Sequence, residues 1–412
     1  MHVLIAAHDF YPDPGSGGTG RYVAATARHL VDRGHNVSVV TRRRGGVPPS
    51  ETVDGIDVYR YRLRVAGRSL PRILRDLPSA ATAVADHVTA ATASADAPDL
   101  LSLQGPVTGT LVERMVPGDV PRVVTMHSPW PTEYRLRSRG ATGTGDLRRY
   151  ANISLRRHVE GHLLVRSDRI VTLSEYMRSV TRRVYDHDLT TNVIPGGVDA
   201  TRFRPDGPTH GRIEGDPAFL TVRRLCERMG HDRLLRAFAS VAEDHSGARL
   251  YVAGDGPLRD ELKATARSLG IAERTDFLGY VPREELPAVY RSADVFVLPT
   301  SDLEGFGLAT LEALASGLPV VATPVGGTVE VFSDLATEPE MPASPLVDDA
   351  TPASLADGLD TWASVSSDGY ARAGRRCQRY AKRRYPWPRT VSRLEALYDD
   401  LRGVVEPPVP AL

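Results

Sequence analysis

Residues 1–41 read MHVLIAAHDFYPDPGSGGTGRYVAATARHLVDRGHNVSVVT. The apolar run from His2 to Ala7 has the length of a buried strand. A Gly/Pro loop follows, then a helical pattern from about Gly20 to Arg33, with Gly34 as its stop and Asn36 to Thr41 as a second strand. Strand, helix and strand in that order make a βαβ unit, and the crossover helix obliges its two strands to lie parallel.

The alternation continues outward from there. Strand-like runs recur at Leu100 to Leu103, Arg122 to Met126, Arg169 to Leu173 and Asn192 to Ile194, with alanine-rich or arginine-rich helical segments between them. The first half is therefore doubly wound. Around Phe203 to Pro217 the pattern breaks into Pro, Gly and charge, the composition of a linker. A second set of strands follows at Ala218 to Arg223, Arg249 to Ala253, Thr275 to Leu278, Val295 to Pro299 and Pro319 to Thr323. Helices are expected between them at His231 to Asp244, Leu258 to Leu269, Leu286 to Arg291 and Gly307 to Ser316, which predicts a second parallel sheet. Thr351 to Arg384 reads as helical. Pro386 and Pro388 interrupt it, and Arg389 to Leu401 resumes with Val391, Leu394, Leu397, Tyr398 and Leu401 on one face, an amphipathic helix that must dock. The expected division is 1–205, 206–385 and a terminal helix with a loose proline-rich tail over 386–412. No repeat array is visible.

Composition narrows the class. A chain of 412 residues exceeds one ordinary core, and 41% hydrophobic residues with 25% charged is a globular balance. No apolar run approaches the roughly 20 residues of a membrane span, and the N-terminus lacks a secretory signal, so a cytoplasmic protein is expected. Cys226 and Cys377, the only cysteines, support neither a disulfide framework nor a Cys-rich zinc site. Formal charge sums to zero. Residues 1–205 carry 28 Lys/Arg against 20 Asp/Glu, and the remainder 23 against 31, so the halves are +8 and −8. A basic half suits peripheral contact at the inner membrane surface or an anionic substrate, and equally an attraction between halves. Nothing suggests nucleic-acid binding.

Ligands of doubly wound sheets collect at the carboxyl ends of the strands, so the loops after strands are the candidates. The loop Pro14-Gly-Ser-Gly-Gly-Thr-Gly20 opens a helix with the room a phosphate needs, and by itself fits a plain turn as well. The strongest segment is Pro299-Thr-Ser-Asp-Leu-Glu-Gly-Phe-Gly-Leu-Ala-Thr-Leu-Glu312. Gly305 and Gly307 let the amides of Phe306, Gly307 and Leu308 face an anion, which the helix dipole also favours. A diphosphate fits there. Glu312 would accept hydrogen bonds from a ribose diol, and Glu304 from sugar hydroxyls. Asp186-His-Asp188 and His158-Val-Glu-Gly-His162 spell metal-like patterns, but neither has the context of a metal site.

The segment Glu304 to Glu312 resembles the E-x7-E motif of retaining glycosyltransferase family 4. The resemblance extends over Gly17-Gly18, Thr125-Met-His127, Val171-Thr-Leu-Ser174, Val193-Ile-Pro-Gly-Gly-Val-Asp199, Gly254-Asp-Gly-Pro257, Phe277-Leu-Gly-Tyr-Val281 and Gly326-Gly327. It implies a GT-B fold: α/β, two Rossmann-like domains whose parallel sheets face a central cleft, with the C-terminal helix returning to the N-terminal domain. By the same resemblance Glu312 binds the donor ribose, Glu304 contacts the donor sugar, and His127 is the histidine near the cleft. Backbone at Tyr280 and Val281 meets the base, and Gly17 and Gly18 lie near the donor phosphate. One departure stands out. The family's G-R-L-x-x-x-K-G segment reads Arg223-Arg-Leu-Cys-Glu-Arg-Met-Gly230 here, so Arg224 matches the arginine while Met229 replaces the lysine. Arg228 is the expected substitute cation.

The activity these residues imply is transfer from a nucleoside-diphosphate sugar, UDP-linked by preference with GDP-mannose open, to a hydroxyl acceptor. No cofactor and no metal are expected beyond that donor. Retention at the anomeric carbon follows from the resemblance alone. The acceptor stays open between a lipid-linked saccharide and a soluble natural product; Arg60 to Arg75 and Met126 to Arg139, with Trp130 and Tyr134, are the segments expected to meet it. A sugar-nucleotide epimerase of the same architecture and a catalytically silent binding protein are the alternatives.

Overall fold

A computed structural model describes residues 1–63, 70–93, 97–138, 145–185, 190–335 and 341–403. The chain divides into two compact units, Met1–Ile194 with Trp387–Leu412, and Pro195–Pro386.

The first unit carries strands β1 (His2–Ala7), β2 (Asn36–Arg42), β3 (Ser50–Val53), β4 (Ile56–Tyr61), β5 (Leu100–Gln104), β6 (Arg122–Met126), β7 (Arg169–Thr172) and β8 (Thr191–Val193). They form one sheet in the order β3-β4-β2-β1-β5-β6-β7-β8. Its helices are α1 (Gly18–Val31), α2 (Leu70–Ala93), α3 (Pro106–Glu113), α4 (Trp130–Arg137), α5 (Gly145–Val165) and α6 (Glu175–Tyr185). β1 is buried along its whole length, as a central parallel strand covered on both faces must be. The sheet is not wholly parallel: β3 runs antiparallel to β4 in a hairpin that the apolar pattern does not announce. α1 also starts earlier than expected, with Gly17 as its N-cap.

The second unit holds β9 (Ala218–Val222), β10 (Arg249–Ala253), β11 (Thr275–Gly279), β12 (Val295–Leu298) and β13 (Val320–Ala322), all parallel, in the order β11-β10-β9-β12-β13. Around them lie α7 (His231–Asp244), α8 (Arg259–Ser268), α9 (Leu286–Arg291), α10 (Leu308–Ala315), α11 (Thr328–Phe332), α12 (Pro352–Ala363) and α13 (Ser367–Arg384). Phe219, Leu234, Phe238, Leu250, Val297, Leu359 and Trp362 build its core. The single helix expected over Thr351 to Arg384 is two, because Ser366 turns out of helical geometry and caps α13 by accepting from the Gly369 amide. The segment read as a linker is folded onto this unit. Phe203 is buried edge-on to Tyr290, the Pro208 carbonyl accepts from Arg291 Nε at 2.8 Å, and the Glu214 carbonyl accepts from the Tyr251 hydroxyl at 2.8 Å.

The last helix, α14 (Trp387–Leu401), belongs to the first unit. Val391, Leu394, Leu397 and Tyr398 enter the core formed by Val3, Ile5, Val23, Ala27 and Leu30. Polar contacts fix its angle: Arg33 pairs with Glu395, and His35 Nε2 lies 2.8 Å from Glu395 Oε1. Among the described residues no helix is long and apolar enough to cross a membrane.

Arg60 shows why sequence exposure rules fail locally. On β4 it is fully buried and donates from Nε and Nη2 to both oxygens of Asp13, each at 2.8 Å. It ties down the glycine-rich loop after β1, so its own side chain is off the surface; residues 64–69 of the segment expected to meet an acceptor lie outside the described residues.

Candidate active site

In the second unit β10 lies on one side of β9 and β12 on the other. The chain therefore winds away in opposite directions from these neighbours, and a crevice opens beyond their carboxyl ends. Arg223 and Arg224 follow β9, and the loop Pro299–Gly307 follows β12. The Arg223–Arg224 pair and the Pro299–Gly307 loop, far apart in sequence, are thus brought to one switch point by the register Val295 to Phe219 and Phe296 to Leu220.

α10 starts there, capped by Gly307 in the left-handed conformation at φ 87°. The amides of Phe306, Gly307 and Leu308 donate to no group among the described residues. Such orphan donors at a helix start carry its positive dipole end and suit an anion. The Phe306 ring itself is buried, 5.7 Å from Tyr385 and edge-on, so the loop offers backbone here.

Both glutamates are buried, and Glu312 is not a solvated helix residue. Glu304 Oε2 accepts from Arg223 Nη2 and, at 3.1 Å, from Thr300 Oγ1. The Glu304 carbonyl accepts from the Gly327 amide at 2.8 Å. Glu312 sits on the buried face of α10, its Oε1 accepting from Arg283 Nη1 at 3.1 Å and its Oε2 from the Tyr290 hydroxyl at 3.2 Å. Burying a carboxylate without such donors would cost several kcal/mol, so these contacts hold both groups in place.

Arg224 is exposed and makes no side-chain hydrogen bond or ion pair among the described residues. Arg228 is differently placed from expectation: its Nη1 donates to the Leu303 carbonyl at 3.0 Å, and its own carbonyl accepts from the Ser301 amide at 2.9 Å, so it braces the loop after β12. Arg223, which sequence reasoning passed over, lies beside Met229 and Glu304. Tyr280 follows β11 with 70% of its side chain exposed, and Val281 is half-buried. Gly305 precedes the α10 start in the same loop.

In the first unit His127 follows β6 and its Nε2 lies 2.9 Å from Gln104 Oε1 at the end of β5. The Gln104 amide nitrogen donates to Ser102 Oγ and Thr125 Oγ1, which turns the amide oxygen to the ring and makes Nε2 the donor. Burial pushes the His127 pKa down to about 4, so the ring is neutral at pH 7. Gly17 and Gly18, at the start of α1, have open space on their Cβ side. Gly20 does not: a Cβ there would lie 3.2 Å from that of Asp9.

Trp130 and Tyr134 lie under the Arg156 guanidinium, at 5.0 and 3.9 Å from their ring centroids. Glu160 points inward, accepting from the Trp130 amide at 2.7 Å and from the Tyr185 hydroxyl, while His158 and His162 are exposed. Asp186 to Asp188 lies outside the described residues. Among the described residues no three metal-ligating side chains gather.

Two family models match the chain: "Glycosyl transferases group 1" over residues 205–384, and "Glycosyltransferase Family 4" over residues 16–202. With two α/β units built on largely parallel sheets, the chain belongs to the family-4 type of GT-B glycosyltransferases, which use nucleotide-sugar donors. It is 35% identical over 176 residues to a GDP-mannose-dependent alpha-(1-6)-phosphatidylinositol monomannoside mannosyltransferase of Mycobacterium tuberculosis, covering 40% of this chain and 46% of that one. It is 32% identical over 271 residues to a D-inositol 3-phosphate glycosyltransferase of Segniliparus rotundus, covering 61% and 57%. The matched stretches thus span about half the length of these curated relatives. In fold it resembles the Anabaena protein HepE, solved in complex with UDP and glucose, at TM-score 0.73 and 18% identity, covering 97% of this chain and 100% of that one.

Proposed function

We propose that the chain transfers a glycosyl group from a nucleoside-diphosphate sugar to a hydroxyl acceptor, with retention at the anomeric carbon. One juxtaposition carries this reading. At the carboxyl ends of β9 and β12 stand an arginine without a side-chain partner and helix-start amides without hydrogen bonds, both among the described residues, together with two buried carboxylates. Such a site suits a ligand that is anionic at its centre and hydroxylated at its two ends. Glu312 takes the ribose diol, Glu304 the sugar hydroxyls, and Arg224 with the Phe306 to Leu308 amides the diphosphate. Tyr280 and Val281 flank the base, and Arg228 supports the loop.

As the bond from the sugar to the diphosphate breaks, negative charge gathers on the departing oxygen, where aligned amides and a guanidinium stabilise it most. The acceptor oxygen attacks from the same face and gives its proton to a donor phosphate oxygen. His127 serves as a neutral hydrogen-bonding group, since burial keeps it unprotonated. UDP remains the favoured nucleotide, and the likeness to a GDP-mannose-dependent enzyme keeps GDP beside it. The acceptor is a lipid-linked saccharide or a small natural product.

Incubation with UDP-glucose or GDP-mannose, with and without candidate acceptors, tests the reading. Glu304→Gln and Glu312→Ala should each lose transfer by about 100-fold or more while staying folded. Arg224→Ala should weaken UDP or GDP binding by about tenfold or more in calorimetry. Full activity in both glutamate variants would rule out the assigned site, and release of an isomerised sugar without transfer would favour the epimerase.

A further inference from the structure

We infer that Arg223 is a second diphosphate-binding cation, delivering from the end of β9 the positive charge that Met229 cannot supply. The inference rests on the reading of this site as a nucleoside-diphosphate pocket.

Met229 is buried at the switch point, and its sulfur meets the Arg223 guanidinium, with Nη2 at 2.9 Å and Nε at 3.3 Å. The same Nη2 reaches Glu304, the carboxylate assigned to the donor sugar. A methionine sulfur lies as far along its side chain as a lysine Cδ, so a lysine ammonium at position 229 would fall within about two bonds of the place where this guanidinium sits. Two cations cannot share that space in a pocket with one neighbouring carboxylate without strong repulsion. Arginine at 223 and methionine at 229 are therefore one solution to a single charge requirement.

The guanidinium is also free to engage a ligand. A thioether is a weak acceptor, so the edge facing Met229 is poorly satisfied, and Nη1 donates to nothing among the described residues. Its position is set by backbone rather than chance. The Arg223 amide donates to the Ala253 carbonyl at 2.9 Å, and Gly254 packs so closely that a Cβ there would lie 1.9 Å from the Arg223 carbonyl oxygen. His231, next to the same charge, stays neutral through burial and contributes no cation. A planar fork here can bridge Glu304 and a phosphate oxygen, where an ammonium acts as a point charge.

Calorimetry with UDP, GDP and the corresponding nucleosides, on wild type, Arg223→Ala, Met229→Lys and the double variant, decides the matter. Arg223→Ala should weaken diphosphate binding about 10- to 100-fold and leave nucleoside binding unchanged. Met229→Lys alone should bind no better than wild type, because it crowds Arg223. The double variant should recover most of the loss, which a merely structural role for Arg223 would not produce. If wild type binds UDP or GDP and Arg223→Ala binds it equally well, or if the double variant is no better than Arg223→Ala, the inference is wrong and the pocket stands. If folded wild type binds neither nucleotide, the pocket reading itself falls and takes this assignment with it.

Discussion

Gly326 shows how tightly single residues are specified around Glu304. It has φ +66°, and a Cβ there would lie 2.2 Å from the Glu304 carbonyl oxygen and 3.0 Å from its nitrogen. Those are backbone atoms that cannot rotate aside. Gly326→Ala should displace the Glu304 loop and lower UDP or GDP affinity with little change in the overall circular dichroism; an unchanged affinity would show that the loop does not position the ligand. Glu304, Glu312 and Arg224 stand out in the sequence because each is a short-range signal, a charge beside a glycine-rich turn or strand end. The exchange at 229 was legible too, but the side chain that meets the Met229 sulfur was not. Glu227–Met229 form one turn of 3₁₀ helix, in which successive side chains point about 120° apart. Arg228, one residue from Met229, consequently faces Leu303, while Arg223, six residues away at the end of a strand, faces the sulfur. Sequence proximity pointed to Arg228, whereas the guanidinium that meets the Met229 sulfur is that of Arg223.

Elements were legible where burial wrote them. The parallel strands are continuous apolar runs because both sheet faces are covered, and β6 and β10 have the expected limits. The β3–β4 hairpin escaped because Ser50, Glu51 and Thr52 are exposed and break any apolar run. The available signal was Asp54-Gly55, whose φ values of 50° and 78° make the two-residue turn that a hairpin favours. Helix α5 holds a different kind of constraint in Glu160, whose carboxylate meets the first amide of α4 and the Tyr185 hydroxyl. Burial pushes its pKa up to about 7 from a usual value of 4.5. A carboxyl whose pKa is raised on folding stabilises the fold fully below its unfolded value and loses that contribution as pH rises. Between about pH 4.5 and 7 the wild type should therefore lose thermal stability relative to Glu160→Gln. Parallel Tm curves for the two proteins across that range would contradict a buried carboxyl at this position.

At the scale of the whole molecule, the amphipathic face of α14 announced a helix that must dock, and its burial against β1 and α1 gives the chain's end a structural part in the first unit. Two doubly wound sheets were legible from alternation alone, whereas the packing of residues 203–217 on the second unit depends on side-chain contacts that composition does not record. Catalysis by this class of protein uses a nucleotide-sugar donor, and the proposed resting place of the donor's diphosphate is the switch point of the second sheet. A crystal structure of the full chain with UDP or GDP tests it most directly. The diphosphate should lie within hydrogen-bond distance of the Phe306 to Leu308 amides and the Arg224 guanidinium, with the ribose on Glu312. A nucleotide bound elsewhere, leaving those amides and Glu312 untouched, would contradict the account.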